Sequence, residues 1–240
     1  MKIAVFADIH ANLEALEAVL IDAENQGADS YVCLGDTIGY GLDATACIQR
    51  LIEVDAVNVL GNHHRAAIDP NQLRTFNYLA RESILLSRER MTSHDLAYLS
   101  SLAYRRSTYG AVFSHANPIK PEEWSHLFLY EDIAWCMQRL DWPIGFFGHT
   151  HLPGIYCQTN GQMVPLTSGV VSVGHHKCLI NPGSVGQPRD ADRRASFAMW
   201  DVDAGFVQIR RIEYPFEQTQ KRMIEAGWPH YLADRLGRGD

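Results

Sequence analysis

The sequence predicts an α/β fold built around a parallel sheet, and three observations support this. Apolar strand candidates alternate with amphipathic helix candidates over the first sixty residues, and each strand candidate ends at a polar residue. The chain has 240 residues, 46% of them hydrophobic, which is enough for one sizeable core. No repeat, low-complexity run or linker divides it, so we expect a single domain over residues 1–240.

The first strand candidate covers residues 3–7 and runs directly into Asp8 and His10. Side chains alternate along an extended chain, so Asp8 and His10 would point to the same side if the strand geometry continues to His10. Asn12 follows at a position suited to cap a helix. The opening of the chain therefore predicts a strand, a pair of metal-ligand side chains and a helix.

Two further strand candidates, at 30–34 and 56–60, flank a helix candidate at 43–53. The order strand, helix, strand, helix, strand implies parallel strands joined by right-handed crossovers. Asp36 and Asn62 follow these two strands, each directly after a glycine. Open α/β sheets place their sites at the carboxyl ends of the strands, so we expect these side chains to meet there.

The rest of the chain changes character twice. Residues 66–102 have helical spacing, and we interpret about 66–107 as a helical insertion beside the site. Sheet character then returns, with a hairpin predicted around 203–205 and a helical tail from residue 216. The later strand candidates cover 109–114, 144–147, 162–166, 177–180, 196–202 and 205–212.

Seven side chains of metal-ligand type follow short apolar runs. The pair at 149 and 151 repeats the spacing of the pair at 8 and 10. Seven oxygen and nitrogen ligands are too many for one tetrahedral ion, but they suit two five- or six-coordinate ions that share a carboxylate. The candidate ligands are Asp8, His10, Asp36, Asn62, His115, His149 and His151.

The order of these residues resembles the calcineurin-like metallophosphoesterases. The signature of that family reads D-x-H, G-D, G-N-H-[DE], a lone H and G-H-x-H. This chain carries matching motifs in that order, at residues 8–10, 35–36, 61–63, 115 and 148–151. Segments 34–41 and 181–189 also resemble the small bacterial branch that holds phosphodiesterases and dinucleoside polyphosphate hydrolases.

The resemblance implies a four-layer αββα sandwich of two mixed β-sheets flanked by helices, with the metal site at the carboxyl ends of the strands. It also implies two divalent metal ions, Mn²⁺ first and Fe, Co, Ni or Zn as alternatives. One ion would be held by Asp8, His10, Asp36 and His151, and Asp36 would bridge to the other, completed by Asn62, His115 and His149. A hydroxide between the ions would attack phosphorus, while His63 protonates the leaving alkoxide.

One position departs from the family pattern. The family has an acidic residue after the motif histidine, whereas this chain has His64. A carboxylate there would orient His63 and raise its pKa, which a second imidazole does not do. We therefore expect a lower pH optimum, or weaker turnover of poor leaving groups, than an acidic residue would give.

Substrate contacts are predicted from Asn62, Ser184, Arg65 and Arg189. Residues 181–184 also read as a simple turn, and both arginines as solvated surface. Four aromatic side chains suit either base stacking or packing, and packing is the favoured interpretation: Tyr78, Trp124, Phe128 and Tyr130. His126 is expected in a helix without a role.

The amino-acid composition limits the kinds of binding partner and the cellular compartment that we expect for this protein. The formal charge is −7, with 28 acidic against 21 basic residues, which argues against a general nucleic-acid or anionic-membrane binder. No stretch approaches the ~18 apolar residues of a membrane span. The five cysteines are scattered without a C-x-x-C pair, so we expect reduced core thiols and a cytoplasmic protein, monomeric or oligomeric.

These observations favour a metal-dependent phosphoesterase acting on a small phosphodiester or dinucleoside polyphosphate. A phosphomonoesterase acting on phosphoproteins or small phosphates is the second interpretation. A non-catalytic metal-binding scaffold is a third, because the fold also serves as a scaffold subunit with an eroded site. The complete ligand set and the presence of His63 count against the scaffold.

Overall fold

Two six-stranded sheets face each other in the computed structural model, which describes residues 1–159, 162–166, 169–174 and 176–240. The strands are β1 (Lys2–Phe6), β2 (Ser30–Cys33), β3 (Val57–Asn58), β4 (Arg105–Thr108), β5 (Ala111–Ser114), β6 (Ile144–Phe146), β7 (Gly154–Thr159), β8 (Gln162–Leu166), β9 (Val170–Ser172), β10 (Lys177–Asn181), β11 (Ala195–Asp201) and β12 (Phe206–Ile212). The helices are α1 (Leu13–Asn25), α2 (Ala44–Glu53), α3 (Asn62–Ile68), α4 (Tyr78–Arg90), α5 (Ser93–Ser100), α6 (Tyr130–Arg139), α7 (Phe216–Glu225) and α8 (His230–Asp234). Short 3-10 helices cover Pro70–Thr75, Pro121–Glu123 and Arg235–Gly237.

Both sheets are mixed. The first has the order β3-β2-β1-β11-β12-β9, in which β1, β2 and β3 are parallel and β11 runs antiparallel to β1. The second has the order β4-β5-β6-β10-β7-β8, in which β5, β6 and β10 are parallel. The predicted βαβαβ opening of the chain is therefore confirmed, and a hairpin of β11 and β12 follows as expected.

Apolar side chains define four layers. One buried cluster lies between the sheets and joins Val5 of β1 to Phe113 and Phe146 of the second sheet. A second cluster packs α1 and α2 on the outer face of the first sheet, and a third packs α6 on the outer face of the second. The predicted αββα sandwich is confirmed, and the parallel strands of both sheets end at one edge of it.

The helical segment differs from its predicted bounds. Helix α3 begins at Asn62, and α5 ends at Ser100. Arg105–Thr108 then forms β4, an edge strand paired with β5, although the predicted insertion extended to about residue 107. The sequence of β4 is Arg-Arg-Ser-Thr, which has none of the apolar alternation that predicts a strand. None of the helices in the described residues is long and apolar enough to cross a membrane.

The prediction for the cysteines is wrong for two of the five. Cys157 of β7 and Cys178 of β10 are directly opposed in the antiparallel pair and form a disulfide. Their Cα atoms are 4.2 Å apart, while 21 residues separate them in sequence, so only the strand register reveals the pairing. Cys33, Cys47 and Cys136 are buried free thiols, as expected.

Candidate metal centre

Left-handed turns place most of the candidate ligands. Strand β1 ends at Phe6, and both Asp8 and His10 have positive φ, +55° and +48°. Asp36, His149 and His151 also have positive φ, between +51° and +68°. The expectation that Asp8 and His10 share a side through extended geometry is therefore wrong, because the chain curls at both residues. They still meet, with Asp8 Oδ1 3.9 Å from His10 Nε2.

Asp8, His10 and His151 form one group of buried donors. Asp8 Oδ1 lies 3.5 Å from His151 Nε2, and the other oxygen accepts the backbone N–H of His149 at 2.9 Å. Asp8 Oδ1 itself is buried without a hydrogen-bond partner among the described residues. A buried carboxylate oxygen without a partner is costly, and coordination of a metal ion would satisfy it, so Asp8 fits the role of a metal ligand.

Backbone carbonyls fix the tautomers of three histidines. His10 Nδ1 is 3.1 Å from Ile38 O, His115 Nδ1 is 2.9 Å from Leu34 O, and His151 Nδ1 is 2.6 Å from Gln187 O. A carbonyl oxygen only accepts, so each Nδ1–H donates, which leaves Nε2 of each ring as the nitrogen that faces the site. Metal-binding histidines are oriented in the same way.

The two Nε2 atoms of His10 and His151 lie only 3.1 Å apart. Burial holds the pKa of both imidazoles well below the ordinary value, so neither carries a second proton near neutral pH. Two lone pairs at this distance repel each other. A shared cation removes the repulsion, so these residues fit a bound metal ion.

Asp36, His115 and His149 form the second group. His115 Nε2 lies 3.2 Å from Asp36 Oδ2, 3.0 Å from His149 Nδ1 and 2.9 Å from Asn62 Oδ1. Gly61 allows this approach, because a Cβ there would lie 2.1 Å from Asp36 Oδ1. Asp36 also belongs to a third group with His10 and His63, so it lies between the other two groups. All seven predicted ligands are thus brought together.

The carboxylates and His115 have strongly shifted pKa values. Burial raises the pKa of Asp8 to about 7, against the opposing charge of His115. Burial also acts to raise the pKa of Asp36, but the charges of His115 and His63 hold it well below the usual range. Burial lowers the pKa of His115, yet the charge and hydrogen bond of Asp36 outweigh it and raise that pKa to about 9. Near neutral pH Asp36 and His115 therefore form a buried ion pair, and a metal ion that binds His115 has to displace the second proton of its imidazole.

His63 is enclosed by aromatic rings. Its ring centroid lies 4.7 Å from that of His10, 4.8 Å from that of Tyr40 and 5.1 Å from that of Phe76. Burial lowers the pKa of His63 to about 4, against the raising effect of Asp36. Its Nε2 lies 4.0 Å from Asp36 Oδ2, so the ring is close to the metal-binding groups.

His64 bonds to the backbone of the neighbouring turns. Its Nε2 accepts the N–H of Thr37 at 2.7 Å, and the N–H of Gly61 points at its Nδ1 at 3.2 Å. A neutral imidazole accepts at one nitrogen only, whereas a carboxylate accepts at both oxygens. The departure from the family pattern therefore bears on how the turns at Asp36 and Asn62 are held, which the sequence did not indicate.

Segment 181–184 supports the ligand turns. Asn181 donates to Gly148 O at 3.0 Å and to Thr150 Oγ1 at 2.9 Å, on either side of His149. Ser184 is fully buried; its hydroxyl donates to Asp8 O at 2.7 Å and accepts from Gln187 N at 2.8 Å. The predicted substrate contact from Ser184 is not supported by this position, because its hydroxyl is already used inside the protein.

Arg189 and Arg65 differ in their partners. Arg189 donates to Gln187 Oε1 at 2.8 Å and lies over the Tyr40 ring, which itself contacts His10. Among the described residues Arg189 has no carboxylate partner; its guanidinium donates to Gln187 and Tyr40, and its Nε is buried without an acceptor. Arg65, in contrast, pairs with Asp69 at 3.3 Å and is one-third exposed.

His126 was missed by the sequence analysis. It lies in a loop before α6, not in a helix, and its ring centroid is 4.0 Å from that of His149. Trp124 of the same loop has its ring 6.0 Å from that of His115. The sequence around these residues has no motif, so only the fold reveals that they border the centre.

Most of the chain matches a known protein family. A family model described as the calcineurin-like phosphoesterase superfamily domain matches residues 1–205. The chain belongs to this family. It is accordingly a metal-dependent phosphoester hydrolase, and the family implies divalent metal ions at the clustered aspartates and histidines.

Relatives match over almost the whole chain. An uncharacterized protein of Methanocaldococcus jannaschii, MJ0912, is 35% identical, and the alignment covers 99% of this chain and 98% of that protein. The crystal structure of a metallophosphoesterase from Sphaerobacter thermophilus is 36% identical, with a TM-score of 0.89 over 100% of this chain and 99% of that one. A hypothetical protein from Pyrococcus horikoshii, PH1004, shares the fold at 17% identity, with a TM-score of 0.81 over 100% and 98% of the two chains.

Proposed function

We propose that this calcineurin-like phosphoesterase is a binuclear enzyme that hydrolyses a small phosphodiester or a dinucleoside polyphosphate. One observation carries the proposal: two groups of buried donors, Asp8–His10–His151 and Asp36–His115–His149, lie side by side with Asp36 between them. With the amide oxygen of Asn62, which lies 2.9 Å from His115 Nε2, these six residues offer seven oxygen and nitrogen ligands. This number suits two divalent cations, and Mn²⁺ is the first choice. A protein described as an archaeal phosphodiesterase shares the fold, at 11% identity with a TM-score of 0.50.

The candidate ligands are assigned to the two cations. Asp8, His10 and His151 would hold one cation, Asn62, His115 and His149 the other, and Asp36 both. When bound, the cations lower the pKa of a coordinated water and neutralise the phosphoryl oxygens. The backbone carbonyls that accept from three histidine Nδ1 atoms keep the donor nitrogens aimed inward without reorganisation.

We assign His63 the role of general acid to the leaving oxygen. Its buried ring lies beside Asp36, within reach of a phosphate held at the centre. Arg189 is assigned to an anionic oxygen of the substrate, because its guanidinium has no carboxylate partner among the described residues and its charge lowers the pKa of His10, His63 and His151. One guanidinium that has no carboxylate partner and lies beside the cations suits the monoanionic phosphate of a diester.

The test is a metal and substrate screen. Chelated protein is expected to be inactive, and Mn²⁺ to restore hydrolysis of bis-p-nitrophenyl phosphate with two ions bound per chain by mass spectrometry. Asp36→Asn is expected to lower activity by at least about a hundredfold, because it removes the charge that both cations share.

Different results would support the other interpretations. More than about tenfold preference for p-nitrophenyl phosphate over the diester, measured as kcat/KM, would replace the proposal with a phosphomonoesterase. Metal-loaded protein that is inert on both esters and on a dinucleoside tetraphosphate would support the scaffold. One bound ion per chain at saturation would overturn the binuclear mechanism.

A further inference from the structure

A cavity of about 260 Å³ opens directly beside the metal centre. Two candidate ligands, Asn62 and His149, form part of its lining. One wall comes from the segment after α3, with Gln72, Thr75 and Phe76, and the other from the loop before α6, with Glu123, Trp124 and His126. Anything bound here is therefore next to a phosphate held by the metal ions.

Three aromatic rings of this cavity each contact a histidine of the centre. Phe76 lies 5.1 Å from His63, ring centroid to centroid. Trp124 lies 6.0 Å from His115, and His126 lies 4.0 Å from His149. Phe76 and Trp124 are only half-buried, so each of these two rings retains surface that is not covered by the protein, whereas the His126 ring is already stacked on that of Phe128, 4.9 Å away between centroids. Such rings offer π-faces for stacking at a short distance from the reacting phosphate.

The charges of the cavity are already paired. Arg65 bonds to Asp69 at 3.3 Å, and Glu123 bonds to Lys120 at 2.8 Å. Two uncharged groups of the lining also have partners, because the Gln72 amide donates to Asp69 Oδ2 at 3.2 Å and the Thr75 hydroxyl donates to Gln72 O at 2.9 Å. With its own charges paired, the cavity offers little attraction to a second phosphate.

We propose that this cavity binds the nucleobase of a nucleotide ester whose phosphate lies on the metal ions. The proposal rests on the proposed function and narrows its substrate class. A flat heterocycle uses the π-faces of Phe76 and Trp124 beside the metal centre. An alkyl chain would not stack on these rings, and a bare sugar phosphate would not use them.

The experiment compares two ligands that differ only in the base. Binding of AMP and of ribose 5-phosphate to the Mn²⁺-loaded protein is measured by calorimetry at one pH and ionic strength. AMP is expected to bind about tenfold more tightly, because one base stacked on an aromatic side chain gives a difference of this order. Equal affinities in the wild type would overturn the proposal whatever the variants do.

Variants then locate the effect. Trp124→Leu and Phe76→Leu are each expected to bring the ratio of the two affinities toward one while leaving the affinity for ribose 5-phosphate unchanged. Trp124→Phe keeps a ring and is expected to retain most of the ratio. Trp135→Leu is the matched control, because Trp135 is exposed on α6 and does not line the cavity.

The outcomes separate this proposal from the function on which it rests. A wild-type ratio that survives in both Trp124→Leu and Phe76→Leu would place the base elsewhere and overturn the assignment. Hydrolysis of bis-p-nitrophenyl phosphate without any preference for AMP would sustain the phosphodiesterase and remove the nucleobase cavity. Tight, Trp124-dependent AMP binding without hydrolysis would sustain the cavity and remove the proposed catalytic function.

Discussion

Aromatic rings surround His63 and bury it, and this burial determines the effect that we expect from substituting the residue. Burial lowers the pKa of His63 to about 4, so the ring is mostly neutral near pH 7. Only the protonated minority can donate to a leaving oxygen. His63 therefore matters most for leaving groups that cannot depart without a proton.

We expect His63→Gln to separate leaving groups by their need for a proton. Hydrolysis of a dialkyl-type ester is expected to fall by about 10²–10⁴-fold, and that of a p-nitrophenyl ester by less than about tenfold, because p-nitrophenolate leaves unprotonated. Rates on the two esters, together with bound metal per chain, are the measurement. Equal losses on both esters with a loss of metal would instead make His63 a metal ligand, consistent with its position in a group with His10 and Asp36.

Ser184 is a second residue whose role depends on where its hydroxyl points. Ser184→Ala leaves the Gln187 N–H without its buried acceptor and removes one of the two hydrogen bonds to Asp8 O, which still accepts from the Gly186 N–H. We expect a loss of about 1–3 kcal/mol in the free energy of unfolding with KM changed less than about twofold. Thermal unfolding and KM on one diester check this.

Ser100→Ala is the control for Ser184, because Ser100 makes a comparable side-chain hydrogen bond to Leu96 O on an exposed helix. Its effect is expected within about 0.5 kcal/mol. A tenfold rise in KM for Ser184→Ala with unchanged stability would restore the substrate contact predicted from the sequence.

At the level of elements, the strand ends that carry ligands were predictable and their conformations were not. Apolar runs before Asp8, Asp36 and Asn62 indicate parallel strands, and parallel strands bring their ends to one edge. Asp and His adopt a left-handed φ more often than most non-glycine residues, but still too rarely for the sequence to predict it at Asp8 and His10. Backbone hydrogen bonds from two segments hold the turn. Asp8 N–H donates to Gly35 O and His10 N–H to Asp36 O, and from segment 185–187 Val185 N–H donates to Ala7 O and Gly186 N–H to Asp8 O.

Other elements escaped prediction because their stabilising partners are distant in sequence. Strand β4 is polar and is held by its pairing with β5, and the Cys157–Cys178 disulfide depends on the register of β7 with β10. His126 borders the centre only because its loop folds back onto His149. The order of the motifs in the sequence predicted the metal ligands, whereas the residues around the ligands could be identified only from the fold.

The close packing of segment 185–187 on the first ligand turn gives an element-level prediction. A Cβ on Gly186 would lie 1.8 Å from the carbonyl oxygen of Ile9, between Asp8 and His10. We expect Gly186→Ala to cost about 3 kcal/mol of unfolding free energy and to reduce bound Mn²⁺, because the turn must move. Denaturant unfolding and metal content by mass spectrometry measure both effects.

Gly174→Ala provides the comparison for Gly186. The nearest atom to a Cβ at Gly174 is 3.6 Å away, an ordinary contact, so we expect a change within about 0.5 kcal/mol and full metal content. If Gly186→Ala behaved like Gly174→Ala, segment 185–187 would not be what holds the turn.

For the whole molecule, the cluster of buried neutral histidines makes the stability of the metal-free protein depend on pH. Burial lowers the pKa of His63 to about 4 and that of His64 to about 3, and it holds the pKa values of His10, His149 and His151 well below normal. Below pH ~6.5 the unfolded chain binds protons that the folded chain does not, so stability falls as the pH falls. Asp8, whose pKa is raised to about 7, opposes this trend between about pH 4 and pH 7, and His115, whose pKa is raised to about 9, opposes it above pH ~6.5. These are two groups against five.

We expect His64→Gln to flatten this dependence. Removing one such histidine lowers the slope of unfolding free energy against pH by up to about 1.4 kcal/mol per pH unit between pH 4 and pH 6. Urea unfolding of chelated protein at several pH values gives the slope. The exposed His94 is the control, since His94→Gln is expected to leave the slope unchanged; an unchanged slope in His64→Gln would mean that His64 does not resist protonation in the folded state.

The left-handed turns at five of the seven ligands also bear on attempts to engineer this protein. The left-handed conformation of each such non-glycine residue costs about 1–3 kcal/mol of stability, and it sets the position of the ligand side chain. Selection of a library for heat resistance alone would favour substitutions that remove the backbone strain at these five positions. The selected variants would be more stable but inactive. Diversity is better placed on the outer helices, with the ligand turns kept as they are.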